Sequence, residues 1–225
     1  MYKFVLLDTD DTLLDFLRSE RAAITESFAR FGLSPTDDLI TQYSAINKAC
    51  WERMERGEIT RDRVLIERFE ILFSRIGAQI DPGTFENTYQ VLLGQHAYPI
   101  SGVMDILAYL RPKYRLYIVS NGVAATQDSR FRDAGLTGWF DDIFISERIG
   151  HHKPEKAYFD ACFAQIPGFR RDRAIIVGDS LSSDILGGIN AGIATCWFNY
   201  RRRPARDDIR PDYTIDTLEE LKSIL

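Results

Sequence analysis

The sequence predicts an α/β fold: a central parallel sheet flanked by helices, with a bundle of four helices inserted after the first strand. Three observations carry this reading. An apolar run, Phe4-Val5-Leu6-Leu7, stands near the start and gives way at once to Asp8-Thr9-Asp10-Asp11-Thr12. From Leu17 to about Ala97 only a helical period is visible. After that, short apolar runs alternate with amphipathic segments, as in successive βα units. The expected division is therefore a sheet domain of residues 1–16 and 98–225 around a helical domain of residues 17–97.

Four apolar residues in a row suit a strand buried on both faces, at the centre of a parallel sheet. The carboxylates behind it repel one another. At ~4 Å two unit charges cost about 4 kcal/mol at an effective dielectric of 20, so a positive group must meet them, and a divalent metal meets several at once. Ligands of open α/β sheets lie at the carboxyl ends of strands, where this cluster falls.

In the inserted segment, Leu17, Ile24, Phe28 and Phe31 form one helical stripe ending at Gly32. Leu39, Tyr43, Ile46 and Cys50 form the next, entered through Ser34-Pro35 with Pro at the first helical position. Thr60 is placed to cap a third helix carrying Leu65, Phe69, Leu72 and Ile76, which stops at Gly77. Asp81-Pro82 opens a fourth with Phe85, Tyr89 and Leu92. A bundle at this point in the chain is well placed to cover the acidic strand end.

The alternating part begins with a helix over 102–110 and a strand over 114–119 that ends in Ser120-Asn121-Gly122. A helix over 124–134 and a strand over 142–146 follow. His151-His152-Lys153-Pro154 opens a helix to about Gln165, and Ala174-Ile175-Ile176-Val177 runs into Gly178-Asp179-Ser180. Strands at 195–198 and 213–215 complete the pattern, and Thr217 and Glu220 form a capping box for the last helix. Arg201-Arg202-Arg203-Pro204 reads as a solvated late loop, with an anion patch as the alternative.

Hydrophobic residues at 45% and charged residues at 27% are ordinary for a globular chain that buries a core. A net charge of −5 and a pI of about 5.3 argue against a dedicated nucleic-acid binder. Cys50, Cys162 and Cys196 lack metal-ligand spacing and read as buried thiols in a reducing compartment. With no signal peptide ahead of the first strand and no long apolar run, a cytoplasmic protein acting away from membranes is expected.

Later strand ends supply what the first cluster lacks. Ser120 brings a hydroxyl, followed by backbone N–H groups at Asn121 and Gly122. Lys153 brings a cation, and Asp179 and Asp184 bring two more carboxylates. In this order the residues resemble the four motifs of the haloacid dehalogenase (HAD) superfamily of phosphohydrolases: Asp8-Thr9-Asp10-Asp11-Thr12, then Ser120, then Lys153, then Gly178-Asp179 with Asp184. The resemblance spans the chain and implies a Rossmann-like core with the helical C1 cap of subfamily I. Asp11 departs from it, since many members have Gly there. The wording around the first and fourth motifs is similar to the YjjG/YfnB-type branch, which includes nucleoside 5′-monophosphate phosphatases with a pyrimidine and deoxy preference.

The resemblance implies a chemistry. Asp8 attacks phosphorus and becomes an aspartyl-phosphate, while Asp10 protonates the leaving alkoxide and later activates water. Mg²⁺ sits on Asp8, the backbone carbonyl of Asp10, and Asp179. Ser120, Asn121 and Lys153 cradle the phosphoryl oxygens, Thr12 orients the turn, and Asp184 holds Lys153 or acts through a metal-bound water. The expected substrate is a small phosphorylated metabolite, foremost a nucleoside monophosphate, handled by a monomer or homodimer. A sugar-phosphate phosphatase keeps the same motifs. A haloacid dehalogenase needs neither the acid nor the metal, and a receiver-type phospho-acceptor switch is far shorter and has no bundle. Phe16, Tyr43, Trp51 and Tyr98 are aromatic candidates for base stacking, although aromatic residues in bundles more often form the core; Arg18 and Arg21 stand near the bundle's entrance.

Overall fold

Phe4–Leu7 forms strand β1, with all four side chains buried. A computed structural model describes residues Met1–Leu225. The other strands are β2 (Arg115–Ser120), β3 (Asp142–Ile145), β4 (Ala174–Gly178), β5 (Ala194–Phe198) and β6 (Tyr213–Ile215). They make one six-stranded sheet in the order β3-β2-β1-β4-β5-β6, with every neighbouring pair parallel. The chain winds outward from β1 to β3 and then returns to add β4 on the other side of β1. Strand order therefore reverses between β1 and β4, and the crevice at such a reversal is where open sheets bind ligands.

Register brings the site residues level. Leu7 lies opposite Ile118 of β2 and Val177 of β4. Asp8 follows β1 directly, Ser120 is the last residue of β2 and Asp179 follows the last residue of β4, so all three stand at the carboxyl end of the sheet. The apolar residues behind them hold this edge in place; burying a Val, Leu, Ile or Phe side chain fully contributes about 1.5–3 kcal/mol, and the buried residues of β1, β2 and β4 are mostly of these types.

The helices are α1 (Phe16–Arg30), α2 (Asp37–Glu55), α3 (Arg61–Ile76), α4 (Pro82–Gly94), α5 (Val103–Leu110), α6 (Ala124–Asp133), α7 (Ser146–Ile149), α8 (Lys156–Gln165) and α9 (Leu186–Ala191). The chain divides into two compact units. One comprises Met1–Asp15, Pro99–Ala124 and Ala134–Leu225; the other comprises Phe16–Tyr98 and Ala125–Asp133. Helix α6 thus belongs with the helical unit, where the Thr126 hydroxyl donates to Gln90 Oε1 at 2.7 Å. The sequence pattern had put it with the sheet, because it follows β2 as a crossover helix does.

The helical unit packs Phe28, Tyr43, Phe69, Phe85, Tyr89 and Leu92 into one core. Thr60 and Asp81 cap α3 and α4 as expected, and Gly77 ends α3 in the left-handed conformation (φ 67°). Two details differ from the sequence reading. Pro35 precedes the N-cap Thr36, so it is not the first helical residue of α2. Leu17 is exposed, while α3 turns Val64 and Arg68 inward, with Leu65 only half-buried. Tyr43 stacks on Phe69 at 5.3 Å and is wholly buried, which makes it core. Arg18 lies over the Tyr98 ring at 3.9 Å, and Arg21 pairs with Asp37. The final helix, Leu218–Ser223, is a 3₁₀ helix that keeps its Thr217/Glu220 capping box. All three cysteines are buried and free. No helix is long and apolar enough to cross a membrane.

Candidate active site

The turn after β1 is tightly wound. Thr9 C=O accepts from both Leu13 N–H and Leu14 N–H at 2.9 Å, and Asp11 N–H donates to Leu14 C=O at 2.7 Å. This folding places Asp11 at φ 61°, a left-handed conformation that Asp tolerates better than most residues. Glycine would adopt it without strain. Asp8 is buried and Asp10 half-buried at the start of the turn.

Lys153 closes the circle. Its ammonium is almost wholly buried and donates to Asp8 Oδ1 at 2.7 Å, Asp184 Oδ1 at 2.7 Å and Val119 C=O at 2.8 Å. Lys153 precedes α8 by three residues and stands in the turn before it, where the sequence pattern had extended the helix over it. Asn121 fixes that turn: its Nδ2 donates to Lys153 C=O and its Oδ1 accepts from Lys153 N–H, both at 2.9 Å. The Asn121 side chain is therefore committed to Lys153. Gly122 N–H, an expected anion donor, is directed to Ser120 Oγ at 3.1 Å.

On the other side of β1, Asp179 is held by its backbone. Its N–H donates to Thr12 Oγ1 at 3.1 Å, and its C=O accepts from Trp197 Nε1 at 2.8 Å. Asp184 Oδ2 accepts from Ser180 N–H at 3.1 Å. Its side chain lies so close to the Gly178 backbone that a Cβ there would stand 2.3 Å from it. Only glycine fits before Asp179, which gives the Gly-Asp pair a steric cause. The helix carrying Asp184 opens with a π-helical turn, Leu181–Ile185, in which Ile185 N–H reaches back to Ser180 C=O.

Carboxylate oxygens of Asp8, Asp179 and Asp184 lie within 4.8 Å of one another. A family model for haloacid dehalogenase-like hydrolases matches residues 2–192. The chain is 42% identical to the HAD-hydrolase YfnB of Bacillus subtilis, over all of this chain and 95% of that protein. The chain belongs to the haloacid dehalogenase-like hydrolase family.

Within that family, identity is 34% to the pyrimidine 5′-nucleotidase PynA of Streptococcus pneumoniae and 33% to the pyrimidine 5′-nucleotidase YjjG of Escherichia coli. Each match covers all of this chain, with 95% of PynA and 98% of YjjG. The crystal structure of YfnB bound to magnesium superposes with a TM-score of 0.96, over all of this chain and 98% of that one.

The electrostatics of the hydrolase site show an acid surplus. Burial pushes the Asp8 carboxyl up to about 7, the charges of Asp184 and Asp10 add to the rise, and Lys153 opposes it. Asp179 is raised well above the usual carboxylate range by burial and then by Asp8, Asp184 and Asp11, with Arg203 opposing. Burial alone would depress the Lys153 ammonium, yet Asp184 and Asp8 outweigh it and hold its pKa above the ordinary lysine value.

Sequence reasoning missed the arginines. The segment read as a solvated loop sends Arg201 Nη2 to Asp11 Oδ1 and Asp15 Oδ1, each at 2.9 Å. It also sends Arg203 Nη1 to Asp179 Oδ2 at 2.7 Å and Nη2 to Asp11 Oδ2 at 3.3 Å. The signal that would have found them is their place after β5, at the same carboxyl edge as the acids, with a carboxylate surplus awaiting partners.

The donor set suits a hard divalent cation. It consists of oxygens, it carries more negative charge than its neighbouring cations balance, and Asp8 and Asp179 flank the crevice between β1 and β4. Asp184 differs from these two: its Oδ1 accepts from Lys153 and its Oδ2 from Ser180 N–H, so both oxygens are engaged by the protein.

Proposed function

We propose that this hydrolase is a Mg²⁺-dependent phosphomonoesterase working through an aspartyl-phosphate on Asp8, with nucleoside 5′-monophosphates, pyrimidine and deoxy forms foremost, as substrates. The observation that carries the reading is Lys153 bonded at 2.7 Å to both Asp8 and Asp184, with Asp179 in the same carboxylate cluster. The kinship with PynA and YjjG supports the substrate class.

In this reading Mg²⁺, held by Asp8, Asp179 and the backbone carbonyl of Asp10, supplies charge neutralisation that lets a phosphate dianion approach carboxylates. Asp8 attacks phosphorus and the P–O bond to the nucleoside breaks. Asp10 delivers its proton to the departing alkoxide, then takes a proton from the water that cleaves the acyl phosphate, which returns Asp8 and releases phosphate. Lys153, Ser120 and the Asn121 N–H receive the equatorial oxygens, whose charge the transition state spreads. Asn121's side chain and Asp184 keep Lys153 aimed.

A panel of phosphorylated metabolites compared by kcat/KM tests the substrate. dUMP, dTMP and UMP should lead; parity with sugar phosphates would remove the nucleotidase claim while leaving the phosphatase one. Chelation should silence turnover and Mg²⁺ restore it, and a rate indifferent to chelation would remove the metal.

A further inference from the structure

The segment after β5 is built to hold one guanidinium in place. Asn199 Nδ2 donates to Arg203 C=O at 2.9 Å, and Arg203 N–H donates to Asn199 Oδ1 at 2.8 Å, so a single side-chain amide clamps the Arg203 backbone from both sides. Arg202, between them, sits at φ 52°, and Arg202 N–H closes on Asn199 C=O at 2.8 Å. Tyr200 stacks on Phe198 at 4.9 Å and turns its hydroxyl to Asp11 Oδ1 at 3.2 Å. Arg203 itself is 41% exposed along its side chain, yet its guanidinium ends at 2.7 Å from Asp179 Oδ2.

Asp179 is the acid on the β4 side of the crevice and has no other cation within salt-bridge distance. A guanidinium at that oxygen supplies one positive charge where a divalent ion would supply two. An arginine cannot shed its proton to make room, so pairing and metal coordination at the same carboxylate oppose each other electrostatically.

We propose that Arg203 is an internal competitor for the divalent cation: it pairs with Asp179 when the metal is absent, lowers the site's affinity for metal, and yields when the metal binds. The inference rests on the reading that Asp8 and Asp179 hold the metal. Asp11 and Arg201 are the supporting parts, since Asp11 ties both Arg203 and the neighbouring Tyr200 and Arg201 to the turn after β1. The outward-facing stem of Arg203 lets it leave without breaking the core.

The test is Mn²⁺ binding to the purified full chain, by calorimetry and by the electron paramagnetic resonance signal of free Mn²⁺. The guanidinium side of the pair is 41% exposed and screened by solvent, so Arg203→Ala should tighten binding by about two- to fivefold. Asn199→Ala, which loosens the clamp and keeps every charge, should shift affinity the same way by less. Arg206→Ala removes an equal charge from an arginine further along the same connection, paired with Asp208, and should leave affinity near wild type. A second readout does not depend on metal affinity: the metal-free melting temperature should fall in Arg203→Ala, with the gap to wild type narrowing when Mg²⁺ is saturating. Unchanged or weaker Mn²⁺ binding in Arg203→Ala, or an equal gain in Arg206→Ala, would overturn the competition. A wild-type protein that binds no Mn²⁺ would overturn the metal reading as well, so the two failures are distinguishable.

Discussion

Two places in this molecule bury clusters of charge, and they are wired differently. In the helical unit, Arg68 donates to Asn47 Oδ1 at 2.8 Å and to Glu86 Oε2 at 2.5 Å. Asn47 and Ser44 take up the two oxygens of Glu20, and Gln90 takes the remaining oxygen of Glu86. Every carboxylate oxygen in that chain of contacts has a donor. At the carboxyl edge of the sheet, Asp8, Asp11, Asp179 and Asp184 meet Lys153, Arg201 and Arg203, and Asp8 and Asp179 are still pushed toward the protonated form. The first network is closed at its carboxylates, although Arg68 Nε has no partner, and it fixes structure, while one with unmet carboxylates keeps an appetite for a cation. The difference separates a cluster with satisfied carboxylates from one with unsatisfied ones without reference to any relative.

The largest consequence falls on turnover. Asp8→Asn keeps size and most of the hydrogen-bonding surface but removes the proposed nucleophile, so kcat/KM should drop by roughly 10³-fold or more. Circular dichroism should stay native. If Asp8→Asn turned over at near wild-type rate, the open cluster would lose its catalytic meaning and the covalent route would be excluded.

Breaking the closed cluster should do the reverse. Arg68→Ala leaves Glu86 buried and unpaired, which typically costs about 3–5 kcal/mol. Urea unfolding should register that loss. The double change Arg68→Met with Glu86→Leu should recover most of it, because a buried pair replaced by packed apolar groups is often neutral or better. Equal losses in the single and double variants would mean that the ion pair itself, and not its completeness, stabilises the unit.

How far these clusters were legible in the sequence differs for the same reason. Asp8, Asp10, Lys153 and Asp179 stand out because each follows an apolar strand or stands just ahead of a helix, and a parallel register must bring strand ends level. Spacing also located the four inserted helices, their caps at Thr60 and Asp81, and the glycine stop at Gly77. Arg68 was invisible: a cation between apolar neighbours on a helix reads as one more solvated face until the facing helices supply Asn47 and Glu86. Arg201 and Arg203 were misread because loop conformation follows from pairwise contacts such as the Asn199 clamp, which no period encodes. Helix α6 went to the wrong unit because chain order suggests a crossover, and only packing decides where its side chains go.

A pH series sharpens the contrast further. Asp8 carries a folded value of about 7 against an ordinary 3.8, so between those limits the folded protein holds a proton that the unfolded chain has released. Its contribution to stability is therefore fully present below about 3.8 and is lost as pH rises through about 7. Asp179, shifted in the same direction, adds to the trend. A divalent cation needs both acids ionised, so protons compete with it. The rise in melting temperature on adding Mg²⁺ should be small at acidic pH and large above neutrality. Asp8→Asn should flatten the metal-free trend. A Mg²⁺ effect that shrinks as pH rises would contradict the acid surplus.

The smallest expected effect comes from Asp11→Gly, and its smallness is the point. Two terms oppose each other. Glycine relieves the left-handed backbone at φ 61°, worth about 1 kcal/mol. The change also removes the partner of Arg201, 27% exposed, and of Arg203, 41% exposed, and such pairs are each worth roughly 0.2–1 kcal/mol after solvent screening. The sum is near zero, so the metal-free melting temperature should move by no more than a few degrees in either direction. Removing a carboxylate from the closed network of the helical unit has no such compensation, and Glu86→Gln should destabilise clearly more than Asp11→Gly. If Asp11→Gly proved as costly as a break at Arg68, the acidic turn would have to count as part of the structural framework, and the distinction between open and closed clusters would fail at the residue where it is finest.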